Sequence, residues 1–104
     1  MTRTKRAMPA DLALERTTDL FAALAHPVRL AMLVALARRG PMCAGELQTL
    51  VGGEQSSVSH QLAVLRRKRL VAVERDGRRQ VYELLDEHVA HIVEDAVKHA
   101  NERV

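Results

Sequence analysis

A mainly α fold carrying a small β-hairpin is what the sequence predicts, and three observations predict it. Aromatic residues make up only 2% of a chain that is 47% hydrophobic, so the core must be built from Leu, Val, Ala, Ile and Met. Ala and Leu head the ranking of helix formers. Two short helical patterns are separated by Gly52-Gly53, which reads as two helices joined by a tight turn. After Leu70 the pattern changes to strand, VAVER and RRQVYEL flanking Asp76-Gly77, and Asp-Gly between such runs is among the stronger hairpin signals. A helix-turn-helix followed by a hairpin is a winged helix-turn-helix. At 104 residues the chain makes one domain with a small core, so dimerisation is a natural way to gain burial and a homodimer is expected.

Residues 1–9 (MTRTKRAMP) are polar and end in Pro9, and are expected to be a flexible N-terminal tail; residues 10–104 form the domain. A first helix runs from about Asp11 to Leu24, with Leu12, Phe21 and Leu24 among its apolar positions. His26 then precedes Pro27, and proline suits the first helical position because its missing N–H costs nothing there. His26 therefore reads as a helix-start residue. The second helix spans roughly Pro27 to Arg39 and stops at Gly40-Pro41. The third, about Ala44 to Val51, ends at Gly52-Gly53. In the fourth, Val58, Leu62 and Leu65 recur at i, i+4 and i+7 and define the buried stripe. Turning by about 100° per residue puts Ser56, Ser59, His60, Ala63 and Arg67 on the opposite face. The hairpin follows, and a last helix runs from about Asp86 or Glu87 to Glu102. No internal repeat or low-complexity segment interrupts the chain.

The balance of 16 Lys and Arg against 13 Asp and Glu is too mild to identify a polyanion partner by itself. Position is more informative. Arg66, Arg67, Lys68, Arg69, Arg75, Arg78 and Arg79 gather in the middle, suited to phosphate, while Asp86, Glu87, Glu94, Asp95 and Glu102 gather near the end, suited to a cation. The single cysteine, Cys43, excludes an intrachain disulfide and fits a reducing compartment. It reads as a small buried apolar residue. No run approaches the roughly 20 apolar residues of a membrane span, and no apolar stretch follows the basic start as a signal peptide requires. A cytoplasmic protein with no membrane contact is expected.

Ser, Gln and His on the exposed face of a helix that follows a tight turn suit base-edge and phosphate hydrogen bonding. A solvated polar face is the plain alternative, and the glycine turn and Arg-rich hairpin weigh against it. The segment EQSSVSHQLAVLRRKRLVAVERDGRRQVYEL resembles the recognition helix and wing of ArsR/SmtB repressors, and LAHPVRLAMLVAL resembles their second helix. The resemblance covers nearly all of residues 18–102. It implies a dimeric repressor whose contacts to double-stranded operator DNA come from Gln55, Ser56, Ser59 and His60, and from Arg78 and Arg79 of the wing.

Asp86, His88, His99 and Glu102 offer carboxylate and imidazole donors, which suit zinc, cobalt or nickel. His88 and His99 share a helix face but stand about 16 Å apart along the axis, so one zinc ion cannot take both from the same helix. Two such helices running antiparallel across a twofold axis would bring Asp86 and His88 of one chain to His99 and Glu102 of the other, giving two equivalent sites. Each residue also has a plain reading: Asp86 as a helix cap, the histidines as solvated polar residues, Glu102 as an exposed acid. The spacing of all four resembles the C-terminal-helix zinc site of the SmtB-like branch, which implies release of DNA when metal binds. His91 and Asp95 lie near the same face as further donors. A related branch binds soft metals through Cys-x-Cys, but here that stretch reads Met42-Cys43-Ala44-Gly45, one thiol where two are needed. Two rivals stay open: a zinc hydrolase, which no HExxH or nucleophile motif supports, and a winged-helix repressor responding to a non-metal signal.

Overall fold

The computed structural model describes residues 8–102. Five helices and three strands follow one another as α1 (Asp11–Leu24), α2 (Pro27–Arg39), β1 (Met42–Cys43), α3 (Ala44–Val51), α4 (Gln55–Arg67), β2 (Val71–Asp76), β3 (Arg79–Leu84) and α5 (Glu87–Ala100). This is the expected winged helix-turn-helix, with α3 and α4 as the paired helices and β2–β3 as the wing. Of the expected N-terminal tail, residues 1–7 lie outside the described residues, and Met8 and Pro9 precede α1 without regular structure.

The helix boundaries have local causes. His26 caps α2 through Nδ1, which accepts the N–H of Val28 at 3.2 Å and of Arg29 at 3.4 Å, so two otherwise orphaned donors of the first turn are satisfied. Pro27 follows at the position that needs no donor. The end of α4 is closed without glycine. There Arg69 stands at φ 60°, its N–H reaching the Arg66 carbonyl at 3.1 Å, while Leu70 N–H reaches the Leu65 carbonyl at 2.9 Å. This is the Schellman pattern, held although a left-handed non-glycine residue costs about 1–2 kcal/mol. Burial of both Leu65 and Leu70 offsets that strain.

In the wing, β2 pairs antiparallel with β3 out to Asp76↔Arg79, leaving Gly77 and Arg78 as a two-residue turn. The turn therefore falls one residue later than an Asp76-Gly77 pair would place it. Gly77 takes its first position with φ 63°, which the II′ type of hairpin turn demands. The third strand, β1, was not expected. It joins β3 through Met42↔Tyr82 and Cys43↔Val81, giving the sheet order β1-β3-β2 and tying the wing to the start of α3. Two residues are too few to show a period.

The last helix ends at Ala100, short of the expected Glu102. Asn101 follows it, its side chain donating to the Val97 carbonyl at 2.7 Å, and Glu102 lies beyond the helix.

At the centre lies α2, whose Met32, Leu33 and Leu36 pack with Leu47 of α3, Val58, Leu62 and Leu65 of α4, and Val89 and Val93 of α5. The core is aliphatic, as the composition predicts, each buried Leu or Val stabilising by about 1.5–3 kcal/mol. On α1, Ala23 and Leu24 join this core. Leu12 and Phe21 are 55% and 56% exposed, an apolar surface without cover in the single chain. Among the described residues no single helix is long and apolar enough to cross a membrane.

Candidate nucleic-acid interface and metal-donor helix

Burial of Val58, Leu62 and Leu65 turns that side of α4 to the core and leaves Ser56, Ser59, His60 and Ala63 on the solvent side. Gln55, the first residue of the helix, is exposed beside them. Four small or polar side chains thus share one outward edge of α4. Nothing large or acidic interrupts it, so the helix can approach a groove closely. Gln61 departs from this face. It is half-buried, and its Oε1 accepts from Arg29 Nη1 at 2.8 Å.

The two wing arginines are not equivalent. Arg78 occupies the turn and is exposed, whereas Arg79 opens β3 and donates from Nη2 to Glu46 Oε1 on α3 at 2.9 Å. Glu46 also accepts the Cys43 backbone N–H at 3.1 Å. That hydrogen bond first, and the Arg79 charge after it, hold the Glu46 carboxyl below its usual value of 4.5. Interaction with the Cys43 sulfur, followed by the Glu46 charge, holds Arg79 above the usual arginine value. Arg75 braces the turn, Nε donating to the Gly77 carbonyl at 3.3 Å. Arg78 is thus free to meet a phosphate, and Arg79 is latched to the helix-turn-helix. Cys43 is half-buried at the junction of β1 and α3, less enclosed than its reading as a core residue implies.

On α5 the donors fall into two groups. Asp86 caps the helix, Oδ1 accepting the Val89 N–H at 3.2 Å, and the same oxygen lies 3.7 Å from Nδ1 of His88. The cap engages Oδ1 alone, so Asp86 serves its plain role and keeps an oxygen for another. His99 lies in the last turn and Glu102 past it, both exposed. Among the described residues no three His, Cys, Asp or Glu side chains of one chain converge as metal ligands, which follows from the length of the helix between the pairs. His91 and Asp95 are exposed along the same helix. Two carboxylates and two imidazoles match the donor preference of zinc and its neighbours.

A family model described as bacterial regulatory protein, arsR family, matches residues 26–73, which run from the His26 cap through α4 into β2. The chain is 42% identical over 99 residues to the HTH-type transcriptional regulator NmtR of Mycobacterium tuberculosis, spanning 94% of this chain and 82% of that protein. The chain belongs to the arsR family of bacterial regulatory proteins. It is a DNA-binding transcriptional repressor built on a winged helix-turn-helix. Identity of 42% over 96 residues to the HTH-type transcriptional repressor SmtB of the same organism, covering 92% of this chain and 70% of SmtB, agrees. The fold matches the homodimeric winged helix-turn-helix domain of Mb0332 from Mycobacterium bovis with a TM-score of 0.80, 29% identity, and coverage of 93% and 92%.

In this arsR-family chain Arg29, Glu46 and Gln61 take roles that only the structure shows. Arg29 carried a faint signal, a charged residue in the first turn of a helix that is otherwise largely apolar. Glu46 sits three residues after Cys43, where an acid reaches back to the first N–H of a helix. Gln61 carried no signal, since its role depends on a contact 32 residues away in sequence.

Proposed function

We propose that this repressor binds operator DNA as a homodimer and releases it when zinc, or cobalt or nickel, binds between the protomers. Gln55, Ser56, Ser59 and His60 read base edges, and Arg78 contacts phosphate, with Arg79 a weaker contributor because Glu46 shares its charge. The observation that carries the metal part is the division of donors between the two ends of α5. Asp86 and His88 cannot join His99 and Glu102 of the same chain, but a second chain laid antiparallel supplies the complementary pair. Exposed Leu12 and Phe21 on α1 and the homodimeric state of the Mb0332 domain support the dimer. When bound, the metal supplies a four-donor cross-link between two α5 helices. That link favours one separation of the two α4 helices, and successive major grooves about 34–36 Å apart accept only another. The protein is cytoplasmic, where operator DNA is.

Zinc titration of the purified protein, with and without a DNA duplex that it selects from a random library, tests this reading. Zinc-induced release, with the duplex weakening zinc binding by the same factor, is the expected result. A protein that selects a duplex and ignores zinc responds to a non-metal signal instead. Retained zinc binding without any DNA selection overturns the repressor mechanism.

A further inference from the structure

The guanidinium of Arg29 joins three helices. It projects from the first turn of α2. Nε donates to the Ala23 carbonyl at 2.7 Å and Nη2 to the Ala22 carbonyl at 3.4 Å, both in the last turn of α1. Nη1 donates to Gln61 Oε1 of α4 at 2.8 Å. Carbonyls at a helix end lack intrahelical partners and carry partial negative charge, so a cation there is doubly favoured. Among the described residues no other side chain is hydrogen-bonded to both α1 and α4. A guanidinium is a rigid planar fork, and with Nε and Nη2 fixed on α1 the position of Nη1 is fixed too. Gln61 directly follows His60, so where Gln61 is held decides which way the neighbouring edge of α4 faces.

We propose that Arg29 is the positioning residue of the recognition helix, setting the azimuth of α4 by clamping Gln61 to the end of α1. The inference rests on the reading of α4 as the DNA-reading helix. Base-edge contacts require placement within about 0.5 Å and 10–20°. Buried leucines hold α4 against the core but slide past one another more readily than a directional hydrogen bond allows. Because α1 carries the exposed apolar face assigned to the dimer, the same clamp refers the reading edge of α4 to the position of the partner protomer.

The test uses the duplex that the wild-type protein selects from a random library and a random-sequence duplex of equal length. Gln61→Met keeps the length of the side chain and removes the acceptor while leaving the hold of Arg29 on α1 intact. Affinity for the selected duplex falls about tenfold, the order expected for loss of one hydrogen bond to a charged group, and affinity for the random duplex stays within twofold. Arg29→Lys behaves alike, and the double variant loses no more than the worse single one, since both remove one link. A purely structural role would lower the melting temperature and leave the ratio of the two affinities unchanged, and that result overturns the proposal. So does full additivity. If Arg29→Lys does not fold, the Gln61→Met ratio decides alone. A wild-type protein that selects no duplex overturns the function reading and this inference together. Selection by wild type with unchanged selectivity in Gln61→Met overturns this inference only.

Discussion

Arg78→Ala and Arg79→Ala should differ, although the two residues are neighbours of the same type. Each phosphate contact contributes about 0.9 to the slope of log affinity against log salt. The dimer presents two Arg78 side chains, so Arg78→Ala should flatten the slope by about 1.8. At the physiological 0.15 M ionic strength, release of the displaced counterions is worth roughly 0.9RT ln(1/0.15), or about 1 kcal/mol for each contact. Loss of both contacts therefore weakens binding by about 2 kcal/mol, or about 30-fold, on operator and random DNA alike. Arg79 already faces Glu46 at 2.9 Å, so Arg79→Ala should flatten the slope by less than half as much. Glu46→Gln keeps an oxygen for the Cys43 N–H but removes the charge. It should therefore free Arg79, steepen the slope and tighten binding to both DNAs. Fluorescence anisotropy of labelled duplexes across a salt series reads all three variants. Equal flattening by the two alanine variants, or an unchanged slope in Glu46→Gln, would refute the division of roles.

His60→Ala should weaken operator binding by about 1–3 kcal/mol per half-site, the value of a good base contact, and leave random DNA nearly unaffected; equal losses on both would remove His60 from the base-reading set. Arg69→Gly should raise stability by roughly 0.5–1 kcal/mol, because relief of left-handed strain exceeds the entropy that glycine adds to the unfolded chain, as urea denaturation will show; a loss of stability would mean the Arg69 side chain contributes more than its backbone costs. Glu46 has a lowered folded-state pKa, so its contribution is fully present above its usual 4.5 and is lost as pH falls through the lowered value. Stability in that acid window should accordingly be flatter for Glu46→Gln than for wild type, and parallel curves would contradict the Cys43–Glu46–Arg79 arrangement.

The fold was legible where a pattern repeats. Val58, Leu62 and Leu65 announce both a helix and its buried side, and Pro27, Gly40 and Gly52 mark boundaries through their own backbone restrictions. Strand β1 was illegible because its two residues are ordered by β3, nearly forty residues away. The end of α5 falls two residues before the expected one because no glycine or proline marks it. Arg69 hid a tight helix closure, since sequence offers no reason to expect an arginine where glycine is usual. The exposed face of α4 was readable by angle, and the placing of Asp86, His88 and His99 along one helix by spacing. The latch of Arg79 onto Glu46 and the clamp of Arg29 onto Gln61 join residues 33 and 32 positions apart, and no local pattern encodes such pairs.

The central claim, a metal site shared across the dimer, is tested most directly by mixing two single-site variants. His88→Ala and His99→Ala homodimers each retain only incomplete donor sets and should bind zinc weakly. In a verified heterodimer of the two, His88 of one chain meets His99 of the other, which restores one site and doubly damages the second. The account predicts one tightly bound zinc ion per heterodimer. Zinc binding that stays absent in the heterodimer, or stays normal in either homodimer, would contradict it.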